Sequence, residues 1–285
     1  MKNYDAKFMR RIATGIVLLL AAILIAVLGY NVEWTGLGQY NTPSGEIQRA
    51  KTLWDWFALM LIPLFIALGG FAINSSFQSI DRRRAERQSR IDRGIAADQM
   101  QEQALQHYLD RMSDLLLDRN LGSPDAEETV KIVARSRTLT TLRGLDPKRK
   151  GVVLRFLYSA HLISGEQPVV DLQSAKLIEA SLIRVQFRGV VLRDTRLIGA
   201  DLEGANLRDA HLERANLSGA NLSNSQLKGT RFEGANLEGA NFTGATIEGA
   251  YFAGANLRGA KIPLEQIKDA HTLKGTTMPD GTKRE

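Results

Sequence analysis

The residue types able to do chemistry are few and scattered. Four histidines, His107, His161, His211 and His271, stand alone, and none lies at a metal-ligand spacing from a second histidine, so each reads as a surface or packing residue. With no cysteine in the chain, disulfides, thiolate nucleophiles and cysteine-bound metals are excluded. Phosphate-loop, dinucleotide and G-x-S-x-G patterns are absent. Asp201, Glu203, Glu213 and Glu233 are numerous enough to pair by chance, but the regular stretch they occupy offers no concave pocket for paired-carboxylate catalysis. Lys148, Arg149 and Lys150 read as the solvated start of a helix rather than as a phosphate site. The residues therefore point away from an enzyme, and no cofactor or metal is expected.

The elements carry more information. From about Val170 to Ile262 an apolar residue returns at every fifth position. It runs through Leu172, Leu177, Leu182, Phe187, Leu192, Leu197, Leu202, Leu207, Leu212, Leu217, Leu222, Leu227, Phe232, Leu237, Phe242, Ile247, Phe252, Leu257 and Ile262. A period of five suits neither a helix nor a strand pleat, but it suits a square coil with five residues to a side and all centres turned to the axis. Two positions before most centres stands a small residue, as at Ala200, Ala205 and Ala215, and glycines such as Gly199 and Gly239 stand two positions after, where a corner needs them. Twenty-residue spacing stacks outward residues in columns, as with Asn216, Asn236 and Asn256, whose expected role is coil-to-coil hydrogen bonding.

Segments such as Ala205-Asn206-Leu207-Arg208-Asp209 and Ala235-Asn236-Leu237-Glu238-Gly239 resemble the A(D/N)LXX unit of the pentapeptide-repeat proteins. The resemblance implies a right-handed quadrilateral β-helix over residues 166–262. Val170, Val185, Val190 and Thr195 depart from the small position, which suggests a capping coil merging with a helical module. Residues 263–285 read as a cap and tail, with a short helix from Leu264 to about Ala270 covering the last strand edges.

Ahead of the repeat, residues 12–30 and 56–73 are long enough and apolar enough to be read as a transmembrane hairpin with an external loop at 31–55, making residues 1–78 a membrane anchor. Trp34, Trp54 and Trp56 then mark one interface, while Arg10, Arg11, Arg82, Arg83 and Arg84 place both termini in the cytoplasm by the positive-inside bias. The N-terminal part resembles membrane-anchored bacterial relatives with a Glu33-Trp34-Thr35-Gly36 box, a Lys51-Thr52-Leu53-Trp54-Asp55-Trp56 box and a Tyr108-Leu109-Asp110-Arg111-Met112 segment. Residues 79–165 read as a cytoplasmic stalk and helical module. A long helix covers 79–118, and two more start at Ser123-Pro124-Asp125 and at Asp146-Pro147. A heptad seam through Ile91, Ile95, Asp98, Glu102, Leu105, Leu109, Met112 and Leu116 fits either docking on neighbouring helices or a homo-oligomeric coiled coil.

The fold class is thus mixed, with helices before an all-β solenoid. The expected function is a non-enzymatic scaffold in the plasma membrane, presenting the solenoid to an unknown cytoplasmic protein. Two alternatives follow. One is the gyrase-directed DNA mimicry known for some pentapeptide-repeat proteins; the other is a two-helix channel or sensor subunit. Mimicry needs a strongly negative surface, and residues 166–285 hold fifteen basic against fifteen acidic side chains, so no direct nucleic-acid partner is expected.

Overall fold

The computed structural model describes Val17, Ala21, Leu24 and residues 40–41, 47–48, 53–123, 125–262 and 264–285. The expected first span at 12–30, with Arg10, Arg11, Trp34 and Pro124, falls wholly or mainly outside these residues, as does most of the 31–55 loop. For Trp54, Trp56, Arg82 and Arg83 the backbone alone is described. The chain divides into two compact units, residues 1–93 and 94–285.

In the first unit, β1 (Tyr40–Asn41) and β2 (Ile47–Gln48) pair antiparallel, Tyr40 opposite Gln48. Helix α1 (Leu53–Leu117) follows and runs unbroken through Pro63 and across the expected boundary at 78/79. Between 59 and 73 most of its described apolar side chains are exposed, from Leu61 at 38% to Met60 at 76%, while Phe65 is half-buried. Among the described residues no helix is long and apolar enough to cross a membrane. Of the apolar run 56–73, the side chains of 56–58 and Ala72 fall outside that description.

The second unit begins inside α1. Ile91 and Ile95, which open the heptad seam, are exposed on the helix, whereas Leu105, Tyr108 and Met112 are buried. They join a core with Ala134 and Leu142 of α2 (Glu128–Gly144) and Val153, Leu154 and Leu157 of α3 (Pro147–Ser159). Thr138 spends its hydroxyl proton on the Ala134 carbonyl and accepts from the Tyr108 hydroxyl at 2.8 Å; burial pushes that phenol far above its ordinary range.

Helix α3 starts as the Asp146-Pro147 pair requires: the Asp146 carboxylate accepts from the backbone of Lys148 and Arg149, and Pro147 occupies the first turn. Helix α2 starts later than expected, with Glu127 at its cap and no capping bond from its side chain to the backbone. Ser123 instead accepts from the nearby Asp125 N–H, and backbone bonds from Ser123 to Asn120 and from Ala126 to Ser123 keep that segment in turns.

The basic cluster that opens α3 is corrected in two of its three members. Lys148 is exposed, but Lys150 is buried and Arg149 is gripped by three carboxylates. These are Asp98 at 2.8 Å, Glu102 at 3.0 Å and Asp146 at 2.6 Å. The two acids that interrupt the heptad seam are thus the ones that tie α1 to α3.

From Leu172 to Ile262 all nineteen centres are buried. Most centre carbonyls accept from the N–H three residues on, as in Ala200 to Leu197, and the residue between with positive φ makes this a type II turn. Gly199 holds that position at φ +63°, while Glu179, Arg184, Asp194, Asp209, Arg214 and Asn224 hold it elsewhere at +52° to +57°. Parallel bridges join residues twenty apart, from Lys176–Arg196 to Asn241–Lys261, so one coil is twenty residues. Where the small position is polar its hydroxyl is absorbed: Thr195 donates to Leu192 O, Ser225 to Leu222 O and Thr230 to Leu207 O. Inside the later coils Phe232 stacks on Phe252 at 5.2 Å, with Phe242 edge-on to both.

The coil does not stop at Ile262. After α4 (Leu264–Ile267) the chain rejoins the ladder with a spacing of 21, as Tyr251 bridges Thr272 and Asn256 bridges Thr277. Ile267 and Met278 are buried, and Thr276 donates to Phe252 O as the other polar small positions do. An antiparallel Thr277–Lys283 bridge closes the end. The expected cap is therefore a partial further coil, and the helix is shorter than expected.

Candidate docking faces of the column

The first coil exposes a row of backbone groups that an earlier coil would have satisfied, and the helices fill that role. Arg135 of α2 donates to the carbonyls of Asp171 at 3.0 Å and Gln173 at 3.3 Å. Lys150 Nζ donates to Ile178 O at 2.9 Å, and the Tyr158 hydroxyl donates to Arg188 O at 2.8 Å. In the other sense, Ser181 N–H donates to Pro147 O and Val191 N–H to Ile163 O. This is how a solenoid end escapes edge-to-edge pairing. Sequence reading missed Arg135, Lys150 and Tyr158 because backbone acceptors leave no trace in residue types.

Four outward columns rise from this base. Asn216, Asn236 and Asn256 form one amide ladder, with Asn256 donating to Asn236 at 3.2 Å. Asp201, Asn221 and Asn241 form a second, at 3.0 and 3.3 Å. The third column, Gln186, Asn206 and Gln226, is bridged coil to coil, with Asn206 donating to Gln186, and runs beside Arg188, Arg208 and Lys228. Arg188 meets Asp209 at 3.2 Å and Lys228 meets Glu248 at 2.9 Å.

The fourth column differs in chemistry: Val191, His211, Arg231 and Tyr251 are bridged in sequence, and His271 packs on Tyr251 at 4.5 Å between ring centres. The Arg231 guanidinium sits over the Tyr251 ring at 5.8 Å. Below it, His211 Nδ1 lies 2.8 Å from Arg193 Nη2 and 3.1 Å from Glu213 Oε1. That nitrogen either accepts from the guanidinium or donates to the carboxylate. Burial by itself would raise Glu213, but its own backbone N–H, His211 and Arg193 outweigh it and hold the carboxyl below its ordinary value. Arg193 approaches Glu213 at 3.3 Å.

Two histidines that look isolated along the chain are therefore on one face. Steps of twenty from Val191 reach His211, Arg231 and Tyr251, so the coil arithmetic carried the signal. The apolar centres from Leu202 to Leu257 lie inside the column, away from its outer faces. Of the expected interface residues, Arg84 has a described side chain, and it is exposed.

The family profile described as pentapeptide repeats matches in eight copies over residues 171–209, 195–234 and 235–262. Among solved structures the chain is similar to HetL, a pentapeptide repeat protein involved in heterocyst differentiation regulation from the cyanobacterium Nostoc sp. strain PCC 7120. The identity is 36% over 41% of this chain and 54% of that one, with a TM-score of 0.38. It is also similar to Rfr23, from the cyanobacterium Cyanothece 51142, at 30% identity over 42% and 67% of the two chains, with a TM-score of 0.25. QnrB1, a plasmid-mediated fluoroquinolone resistance protein, aligns at 17% identity over 35% and 68%, with a TM-score of 0.17. The matched part thus spans about half the length of the first of these proteins, and at such scores none of the likenesses bears on function. No curated protein matches the chain.

Proposed function

We propose that the pentapeptide-repeat column of residues 171–262 is a docking platform for a protein partner, and that the N-terminal part of the chain holds it at a membrane. The observation that carries the docking reading is the fourth column. Arg231, Tyr251 and His271 present a guanidinium and two rings, already packed on one another, on a backbone that the ladder holds rigid. Arginine and tyrosine dominate binding energy at protein interfaces, and preordered side chains lose little freedom on contact.

What supports the membrane reading is the girdle of α1. A helix that is apolar all round, as from Leu59 to Ile73, has its free-energy minimum inside a core or a bilayer. Arg84, Arg87, Arg90 and Arg93 follow it, as the cytoplasmic flank of a span would require. Mimicry of duplex DNA is disfavoured because Arg188, Arg208 and Lys228 put like positive charges on successive coils where a mimic needs anions.

A photo-crosslinking residue at Tyr251 in the full chain, expressed in its host, should give a protein adduct, while the same residue at Asn241, half a coil away, should not. Equal labelling from both positions, or none from Tyr251, would overturn the docking reading. Extraction of the chain from membranes by carbonate alone would overturn the anchor.

A further inference from the structure

Facing rows of α1 and α2 enclose a shallow hollow of about 260 Å³. His107 and Arg111 reach it from α1, and Ser136, Arg137, Thr140 and Thr141 from α2. No carboxylate lines it. Tyr108 lines it too, but its hydroxyl is committed to Thr138. Arg111 pairs with Asp114 at 3.5 Å, both more than half exposed, a geometry that water screens. Among the described residues the side chains of Arg137 and His107 have no partner. Residues carrying two guanidinium groups, an imidazole and three hydroxyls thus line one hollow, most of them exposed, and no carboxylate lines it with them.

The geometry points to a binding site for a phosphoryl group. A carboxylate offers two oxygens and satisfies one guanidinium. A phosphomonoester offers three oxygens and close to two negative charges, enough for both arginines and the hydroxyls together. The hollow is large enough for such a group and open enough for the ester it hangs on. Two sources present this chemistry, a soluble phosphate ester and the headgroup of a phosphomonoester lipid.

The test uses the full chain in non-ionic detergent. Calorimetric titration with inorganic phosphate is one arm; mixed micelles carrying phosphatidic acid, compared with micelles of phosphatidylcholine, are the other. Saturable binding in the first arm assigns a soluble source, and binding confined to the second assigns the headgroup. In either case Arg137→Ala should weaken it at least about tenfold and Arg137→Lys by less, because the forked donor is lost while the charge stays. Arg111→Ala is the second variant should Arg137→Ala lower the melting temperature, and Lys228→Ala on the column should bind as the parent does. Absence of saturable binding in both arms, or variants at Arg137 and Arg111 that bind unchanged, would overturn the assignment.

Discussion

Lys150 donates its ammonium to the Ile178 carbonyl at 2.9 Å, a bond between a helix and the open edge of a β-coil 28 residues further on. Burial pushes that ammonium below the ordinary lysine range, against the pull of Glu179 and Asp146. The unfolded chain therefore holds this proton more firmly than the folded one. Stability should rise with pH between the lowered folded value and the ordinary value of about 10.4, and the buried charge costs most below that window. Lys150→Met should remove this alkaline slope. It should also cost roughly 1–3 kcal/mol at neutral pH by orphaning the Ile178 carbonyl. Urea unfolding from pH 7 to 11 measures both.

Gly151 invites an opposite expectation from its helical setting. Replacing glycine by alanine inside a helix ordinarily gains about 1 kcal/mol. Here a Cβ would run into the backbone oxygen of Ser181, which cannot step aside without moving the first coil. Gly151→Ala should therefore destabilise the protein, whereas Gly144→Ala, whose Cβ meets nothing within 4 Å, should not. A higher melting temperature for the first variant would contradict the close approach of α3 to the coil.

Asp146 caps α3 and touches Arg149. Burial alone would raise its carboxyl, but bonds from Arg149 and Lys148 prevail and hold it lowered. A depressed carboxyl stabilises the fold above its unfolded value of about 3.9, and that share is lost as pH falls through the folded value. Asp146→Ala should cost about 0.5–2 kcal/mol at pH 7. The gap to the parent should close in acid, as read from denaturant curves between pH 2 and 7.

Leu217 sits in mid-column with no exposure. Leu217→Ala should cost about 2–5 kcal/mol, and Leu217→Asp more, because it puts an unpaired carboxylate on the axis. Circular dichroism melts compare the two, and a melt unchanged by the aspartate would contradict the inward register.

The column was legible because one period governs it: once Leu217 is a centre, so are Leu197 and Leu237. The start of α3 was legible because Asp146 and Pro147 act on the residues beside them. Arg135, Lys150 and Tyr158 were not, since what they bind is main chain some thirty residues away, and any sequence there has carbonyls. The final partial coil hid for a different reason. Ile267 keeps the five-residue step from Ile262, but one extra residue then shifts Met278 out of phase, and α4 interrupts the turn. The face of His211 and Tyr251 was missed because histidines were sought near other histidines along the chain rather than up the coil.

The seating of the first coil on α2 and α3 also gives the column a polarity in time. With the Asp171, Ile178 and Arg188 carbonyls held by side chains of a packed helical core, the ladder has one end seated on helices and another closed only by the short Thr277–Lys283 bridge. Opening should therefore begin at the Thr277–Lys283 end and proceed backward coil by coil, so amide exchange should slow steadily from Thr277 toward Leu182. A partner seated near Tyr251 and His271 would then act as a clasp on the end that frays, coupling its own binding to the length of column that stays closed.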